Sequence, residues 1–220
     1  MTGHYFDADP SAPSERRTVP LVLPDWRADL LTDRAVFSGD RVDPGSKLLL
    51  LEAPAPGDGV VEALDLGCGY GPLALTLAHR RPSARVWAVD VNARAVELCR
   101  DNAAAQGLTN VEAMPVGPQQ PFGTIPDDIR FDLIWSNPPI RVGKPELHAL
   151  LRRWLARLSP AGRAVLVVHK HLGADSLQRW LIDEGHPTDR LTSRAGYRLL
   201  QVGPAANGAG DPDETPQDEP

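Results

Sequence analysis

Short apolar runs alternate with amphipathic segments over the middle of the chain. The apolar runs, which predict strands, cover residues 60–66, 86–89, 111–114, 131–135 and 164–168. The amphipathic segments, which predict helices, cover residues 73–80, 93–106 and 144–158. Strands that alternate with helices are typical of a parallel sheet covered on both faces. The pattern therefore predicts an α/β fold, with a mostly parallel twisted sheet and helices on both of its faces between residues 60 and 203.

The two ends of the chain do not share this alternation. Residues 1–18 are polar and interrupted by proline, which predicts an arm and not a folded element. Residues 19–53 contain two short apolar runs and then Asp43, a helix-capping residue followed by proline, which predicts the start of a helix. Residues 204–220 carry five acidic residues and no large apolar one, which predicts a disordered tail. We therefore divide the chain into an N-terminal extension, a core domain and an acidic tail, over residues 1–53, 54–203 and 204–220.

Length and composition restrict the class of protein. At 220 residues, of which 42% are hydrophobic and 24% charged, the chain is long enough for one domain with an ordinary core. No apolar run approaches the roughly 18 residues of a membrane span. The two cysteines, Cys68 and Cys99, cannot form a disulfide framework and are too few for a structural zinc site. We therefore expect a cytoplasmic protein with no metal site and no membrane segment.

The net charge of −6 is divided unevenly along the chain. Residues 1–140 carry 12 Lys and Arg against 19 Asp and Glu, whereas residues 141–203 carry 11 against 5. A basic C-terminal third is compatible with a surface that binds phosphate groups. Solvated helix faces would give the same count, so the charge alone does not decide between these two interpretations.

Three signals follow the predicted strands, and the first is rich in glycine. Asp65-Leu-Gly-Cys-Gly-Tyr-Gly71 begins within the strand at 60–66 and continues beyond it. Ligands of parallel sheets bind at the carboxyl ends of the strands, and glycine lets a backbone turn sharply and approach a ligand closely. A dinucleotide-binding loop would need a further glycine where Pro72 stands. The spacing therefore favours a loop around a ligand that has no pyrophosphate.

The other two signals are an acidic residue and a proline pair. Asp90, at the end of the second strand, can accept hydrogen bonds from the two hydroxyls of a ribose. Alone, it would equally suit a helix N-cap. Asn137-Pro-Pro-Ile140 follows the strand at 131–135, and its prolines fix the backbone and remove two donors, so that carbonyl groups face the cleft. The three signals together predict a nucleoside-binding cleft.

At these motifs the sequence resembles the class I S-adenosylmethionine-dependent methyltransferases. The matching segments are residues 64–72, 89–92 and 136–140. Within that class the chain resembles the small-domain methyltransferases that include ribosomal RNA guanine-N2 methyltransferases, through further matches at residues 4–6, 32–38 and 43–50. The resemblance implies a Rossmann-like fold, S-adenosylmethionine as cofactor and RNA as partner. It also implies methylation of an exocyclic amine, in particular guanine N2 of small-subunit ribosomal RNA.

The resemblance also implies roles for individual residues. The cofactor-binding positions would be Asp65, Gly67, Cys68, Gly69, Gly71, Asp90, Val91, Asn92 and Asn137. The positions facing the substrate would be Phe37, which would close the cleft from the N-terminal side, and Pro139, Ile140, Arg141 and Lys144, of which the last two would contact RNA. Asn137 and Pro138 would be the catalytic pair, because a side-chain oxygen and a carbonyl can accept both N–H groups of the target amine.

Three positions depart from the pattern of the family that the chain resembles. Ala35 stands where glycine is usual. Met114-Pro-Val-Gly117 stands where relatives commonly have an acidic residue that takes the adenine amine, so this contact has no assigned residue. Ile140 stands where many relatives have an aromatic ring, so stacking on the target base must be weaker there.

The chemistry of an exocyclic amine explains the proposed catalytic pair. Such an amine is a poor nucleophile, because its lone pair is delocalised into the ring. Two acceptors that bind both of its hydrogens favour the pyramidal nitrogen, whose lone pair then faces the methyl donor. Two other functions stay open: methylation of a protein glutamine through a similar Asn-Pro-Pro motif, and a non-catalytic RNA-binding or ribosome-assembly module. Adenine N6 as the target and the oligomeric state are also undecided by the sequence.

Overall fold

The computed structural model describes residues 14–34 and 36–206, apart from the side chain of Arg141. Its strands are β1 (Arg17–Val22), β2 (Arg27–Thr32), β3 (Glu62–Leu66), β4 (Arg85–Asp90), β5 (Val111–Pro115), β6 (Phe131–Ser136), β7 (Leu158–His169), β8 (Thr188–Arg194) and β9 (Tyr197–Val202). Its α-helices are α1 (Pro44–Glu52), α2 (Pro72–Arg80), α3 (Ala93–Ala105), α4 (Lys144–Leu155) and α5 (Ala174–Asp183). Single-turn 3₁₀ helices cover Ile140–Val142 and Lys170–Leu172.

Seven of the described strands form one sheet, in the order β5-β4-β3-β6-β7-β9-β8. Strands β3 to β7 pair in parallel, and β9 pairs antiparallel with both β7 and β8. The chain builds outward from β3 to β5 and then returns to the other side of β3 with β6. The strand order therefore reverses between β3 and β6, which is where parallel α/β sheets form a crevice for ligands. The two strand ends are joined there, since Ser136 Oγ donates to the Leu66 carbonyl at 2.7 Å.

Helices cover both faces of this sheet, because the strands carry apolar side chains on both. Leu133 and Trp135 of β6 pack with residues of α1, α2 and α3 on one face. Ile134, between them, packs with residues of α4 and α5 on the opposite face. All three side chains are buried. The prediction of an α/β fold with a mostly parallel sheet and helices on both faces is confirmed.

An N-terminal hairpin of β1 and β2 joins the first of these two cores. Val19, Leu21 and Leu30 pack there with residues of α2 and α3. The predicted arm is too long, because β1 already begins at Arg17. Residues 1–13 of that arm, and residues 207–220 of the predicted tail, lie outside the described residues.

The C-terminal part corrects the predicted alternation of strands and helices. After α5 the chain forms two consecutive strands, joined by Ala195 and Gly196, which have φ angles of 50° and 83°. Two positive φ angles in a two-residue turn match the twist of a hairpin. The predicted elements included none of α5, β8 and β9. Strand β8 lies at the edge of the sheet and is mostly exposed, so it has no apolar run. Two boundaries are also corrected, since α4 ends at Leu155 and β7 begins at Leu158.

Two kinds of feature are absent from the part of the chain that the structure describes. None of its helices is long and apolar enough to cross a membrane. None of its His, Cys, Asp and Glu side chains form a group of three or more that could hold a metal ion.

Candidate active site

The glycine loop, residues 67–71, passes over the crevice at the carboxyl end of β3. The N–H groups of Gly67 and Cys68 both donate to the Val89 carbonyl at 2.9 Å, which fixes the loop to β4. Gly67 and Gly69 have φ angles of 81° and 55°, a region that L-residues rarely adopt. A side chain at Gly69 would project into open space, and one at Gly67 would reach only the Asn137 carbonyl, at 4.0 Å. Apart from the adjacent residues, no described atom other than that carbonyl therefore lies within 4 Å of the position that a side chain would take at these two glycines.

Gly71 and Cys68 face the interior. A Cβ at Gly71 would lie 2.2 Å from Leu75 Cδ1 and 2.8 Å from Cys99 Sγ, so the packing of α2 against α3 requires glycine there. A hydrogen bond with Cys99, together with burial, raises the pKa of the Cys68 thiol well above its usual range. That thiol therefore stays protonated, and Cys68 is buried. The predicted contact of Gly71 with the cofactor stays a prediction.

Asp65 lies beneath the glycine loop and is fully buried. Its Oδ2 accepts from the Ala74 N–H in the first turn of α2 at 2.9 Å. Its Oδ1 has no hydrogen-bond partner among the described residues. Burial, and after it the charge of Asp90, raise the pKa of Asp65 to about 8. The site thus contains a buried carboxyl group, one oxygen of which has no partner among the described residues.

Asp90 connects the end of β4 to the glycine loop. Its Oδ2 accepts from the Gly69 N–H at 2.9 Å, and its Oδ1 accepts from the Asn92 N–H at 3.0 Å. The helix-capping role that the sequence left open for Asp90 belongs to Asn92, whose Oδ1 accepts from the Ala95 N–H at 3.2 Å. Val91, between them, is 38% exposed. The structure therefore joins Asp90 to the loop, leaves Val91 exposed after it, and buries Asn92 as the N-cap of α3.

Asn137 follows β6 and lies beside the loop. Its Nδ2 donates to Asp43 Oδ2 at 2.8 Å and to Ser46 Oγ at 3.1 Å. A carboxamide nitrogen carries two hydrogens, so both have acceptors and Oδ1 is the acceptor that the side chain can offer a ligand. The sequence predicted Asp43 only as a helix cap, and nothing in its spacing from Asn137 signalled this contact.

The residues after Asn137 form a tight turn. The Pro138 carbonyl accepts from the Ile140 N–H at 2.8 Å, which leaves one of its two lone pairs for a ligand. Ile140 is partly buried against the core beneath α4, and Pro139 is partly exposed. Arg141 lies in the 3₁₀ turn, and Lys144 is exposed at the start of α4, with its Nζ 3.3 Å from Ser176 Oγ.

Several basic side chains of residues 141–203 already have partners within the protein. Fewer of them can therefore bind phosphate groups than the count of 11 Lys and Arg indicates. Ion pairs join arginines of this segment to acidic residues: Arg152 to Glu184, Arg190 and Arg198 to Asp175, and Arg194 to Glu52. Arg157 is buried and donates to the Ile129 carbonyl. Lys144 and Lys170, which follow β6 and β7 along the chain, are exposed.

The segment that contains Phe37 lies against the first turn of α3. Arg94 Nη1 donates to the Arg34 carbonyl at 3.3 Å, and Arg94 also lies 3.9 Å from Asp33. Phe37 is 42% exposed on this segment. Ala35 lies outside the described residues. On the other side of Asp90, the Val116 N–H donates to the Asp90 carbonyl, and the adenine contact still has no assigned residue.

Comparison with known proteins relates this arrangement to a family. Residues 27–201 match the family model described as the methyltransferase small domain. The chain is 34% identical over 204 residues to the uncharacterized protein YbxB of Bacillus subtilis, a match that covers 92% of this chain and 98% of that protein.

Two further relatives are named for ribosomal RNA. Ribosomal RNA small subunit methyltransferase C of Klebsiella pneumoniae is 38% identical over 143 residues, and the match covers 62% of this chain but 39% of that enzyme. The solved structure of the Thermus thermophilus 16S rRNA N2 G1207 methyltransferase RsmC, in complex with AdoMet and guanosine, has a TM-score of 0.74 and 28% identity. That match covers 88% of this chain and 52% of RsmC. The chain thus spans about half or less of the length of these two relatives.

Proposed function

This chain belongs to the methyltransferase small domain family, and on that premise we propose that it methylates an exocyclic amine of a base in RNA, in particular guanine N2 of small-subunit ribosomal RNA. Membership confirms the prediction of a methyltransferase with the class I Rossmann-like fold and S-adenosylmethionine as its cofactor. The substrate is the part that we propose.

The residues around the crevice fit that cofactor. The bare backbone of Gly67 and Gly69 would pack against it, and the unpartnered Oδ1 of Asp65 would accept from its ammonium group. Asp90, which lies at the end of β4 and binds the Gly69 N–H, would accept from the ribose hydroxyls. When bound, the cofactor supplies an electrophilic methyl group on a sulfonium.

The single observation that supports an amine as the target is the orientation of Asn137. Its Nδ2 is held by Asp43 and Ser46, so that Oδ1 is the acceptor offered to a substrate. Oδ1 and the Pro138 carbonyl would accept the two N–H groups of the amine and favour its pyramidal form. These hydrogen bonds strengthen as the transition state forms, which is where binding energy accelerates a reaction. The base must be unpaired or flipped out of a duplex to reach them.

RNA as the substrate class is supported by the relatives' names and by the position of two lysines. Two of the three relatives reported above are named for methylation of ribosomal RNA, and RsmC is described with guanosine bound. Lys144 and Lys170 follow the carboxyl ends of β6 and β7, and Asn137 also follows β6. The phosphates beside a flipped base would pass this end of the sheet. We expect the protein to act in the cytoplasm, where its proposed ribosomal RNA substrate would be available.

Asn137→Ala tests this proposal. We expect the rate of methyl transfer from labelled cofactor to ribosomal RNA to fall by about 10²–10³ in single turnovers, as when one preorganised polar group is removed. Cofactor affinity, measured by calorimetry, should change little, because the glycine loop and Asp90 are intact. Mapping of methylated nucleosides in ribosomal RNA from cells with and without the protein would identify the base. Methyl transfer by Asn137→Ala at the wild-type rate, or no modified nucleoside that depends on the protein, would refute the proposal.

A further inference from the structure

Asp43 lies where three elements meet. Its Oδ2 accepts from the Ser46 N–H at 3.0 Å, which caps α1, and from Asn137 Nδ2, which follows β6. A Cβ on Gly45 would lie 2.8 Å from Tyr197 Cε1 and 2.9 Å from Asp43 Oδ2, so β9 packs closely on the first turn of α1. The first turn of α1 is therefore fixed by two contacts, one with Asn137 after β6 and one with Tyr197 of β9.

We propose that Asp43 is a positioning residue for methyl transfer, which holds the Asn137 carboxamide so that Oδ1 and not Nδ2 faces the substrate amine. The inference rests on the proposed function, since it concerns the group that would bind the target. A carboxylate can only accept hydrogen bonds, so Nδ2 must be the atom that faces it. Ser46 Oγ, at 3.1 Å from the same nitrogen, can donate or accept and would not fix the orientation alone.

The charge of Asp43 adds to this orientation. The nitrogen of the amine becomes positive as it gains a methyl group, and its hydrogens then bind more strongly to Oδ1. A carboxylate on the far side of the carboxamide polarises it, because hydrogen bonds in a chain strengthen one another. The charge of Asp43 also affects two neighbouring tyrosines. Burial is the main cause of the raised pKa of Tyr70 and of Tyr197, and the charge of Asp43 is the second cause. Both tyrosines thus keep their protons beside Asp43.

The capping role and the positioning role are separable by side-chain length. Serine is as good an N-cap as aspartate, but its hydroxyl is one bond closer to the backbone and falls short of Asn137. Asp43→Ser therefore keeps the cap and removes the contact. Asp43→Asn keeps an acceptor oxygen of the same reach and removes the charge.

The experiment compares these variants with Asp132→Ser in the full chain. The Asp132 carboxylate likewise accepts several hydrogen bonds, from the backbone N–H groups of Val61 and Glu62 and from Ser159 Oγ, but it lies at the amino end of β6, away from Asn137. We expect Asp43→Ser to lower kcat by about 10- to 100-fold, less than loss of the direct acceptor, with the RNA KM and the cofactor Kd within about threefold of wild type. Asp43→Asn should recover part of that rate. Asp132→Ser should lower the melting temperature and leave kcat unchanged.

Three outcomes would overturn the inference: a wild-type kcat in Asp43→Ser, a rate in Asp43→Asn no higher than in Asp43→Ser, or a loss confined to cofactor affinity. The side-chain amide resonance of Asn137 in the cofactor-free protein separates this inference from the proposed function. We expect Asp43→Ser, and not Asp132→Ser, to shift that resonance. If the shift occurs and wild type methylates no RNA, the substrate proposal fails and the orientation stands. If wild type methylates RNA and neither the resonance nor kcat depends on Asp43, the inference fails.

Discussion

Asp65 is the residue whose protonation the fold changes most clearly. Burial raises its pKa to about 8, whereas the same carboxyl in the unfolded chain has a pKa near 4. Between those two values the folded protein holds one proton more than the unfolded chain. The free energy of unfolding should therefore fall as the pH rises through this window, by about 1.4 kcal/mol per pH unit from this group.

Asp65→Asn tests this prediction, because a carboxamide keeps an acceptor for the Ala74 N–H and does not titrate. Urea unfolding of the cofactor-free protein between pH 5 and 8 should show a weaker dependence on pH in the variant than in wild type. Equal slopes in the two proteins would mean that Asp65 is ionised throughout.

The position of the glycine loop could be predicted from the sequence, but the different structural roles of its glycines could not. Spacing placed Gly67, Gly69 and Gly71 together, and only the packing of α2 on α3 distinguishes the third from the other two. Asp90 and Asn92 give a similar case: both suit a helix N-cap, and the hydrogen bond to the Ala95 N–H assigns the cap to Asn92. Local patterns identify the residue types of a site, whereas long-range packing decides which of them face the ligand.

At the scale of elements, the contact of α2 with α3 predicts opposite outcomes for two alanine substitutions. Gly71→Ala places a methyl group onto Leu75 and Cys99, and such overpacking costs about 1–3 kcal/mol of stability. Gly69→Ala meets no atom of the described protein within 4 Å, so it should retain more stability and instead weaken cofactor binding. Thermal melting and calorimetry check this pair. An equal loss of melting temperature in both variants would contradict the assignment of Gly69 to the crevice.

Burial explains why the sequence predicted β6 and missed β8, whereas β9 was missed although Leu199, Leu200 and Val202 are buried. Strand β6, with Leu133, Ile134 and Trp135 all buried, is a continuous apolar run. Strand β8 contains one large apolar residue, Leu191, which is itself 37% exposed. The link between α1 and β6 was also beyond the pattern, because Asp43 and Asn137 are 94 residues apart and the capping motif already accounted for Asp43.

At the scale of the whole molecule, the distribution of paired and unpaired charge predicts which basic residues bind RNA. Lys144→Ala and Lys170→Ala should each weaken RNA binding and reduce its dependence on salt by about one unit of log–log slope. Arg152→Ala is the matched control, because its guanidinium pairs with Glu184 at the C-terminal ends of α4 and α5, away from the crevice. Filter binding at several salt concentrations measures all three. A slope that changes only in the control would place the RNA elsewhere.

Asn102 links the N-terminal hairpin to the glycine loop through hydrogen bonds. Its carboxamide binds the N–H and the carbonyl of Leu31 in β2, and the same Nδ2 donates to the carbonyl of Tyr70 in the glycine loop at 2.9 Å. A bound cofactor that restricts the motion of this loop should therefore make local opening of the hairpin less frequent. Deuterium exchange at the Leu31 amide would fall on addition of cofactor in wild type and stay unchanged in Asn102→Ala. Exchange at Leu31, in a strand outside the seven-stranded sheet, thus becomes a readout of cofactor occupancy that needs no label on the cofactor.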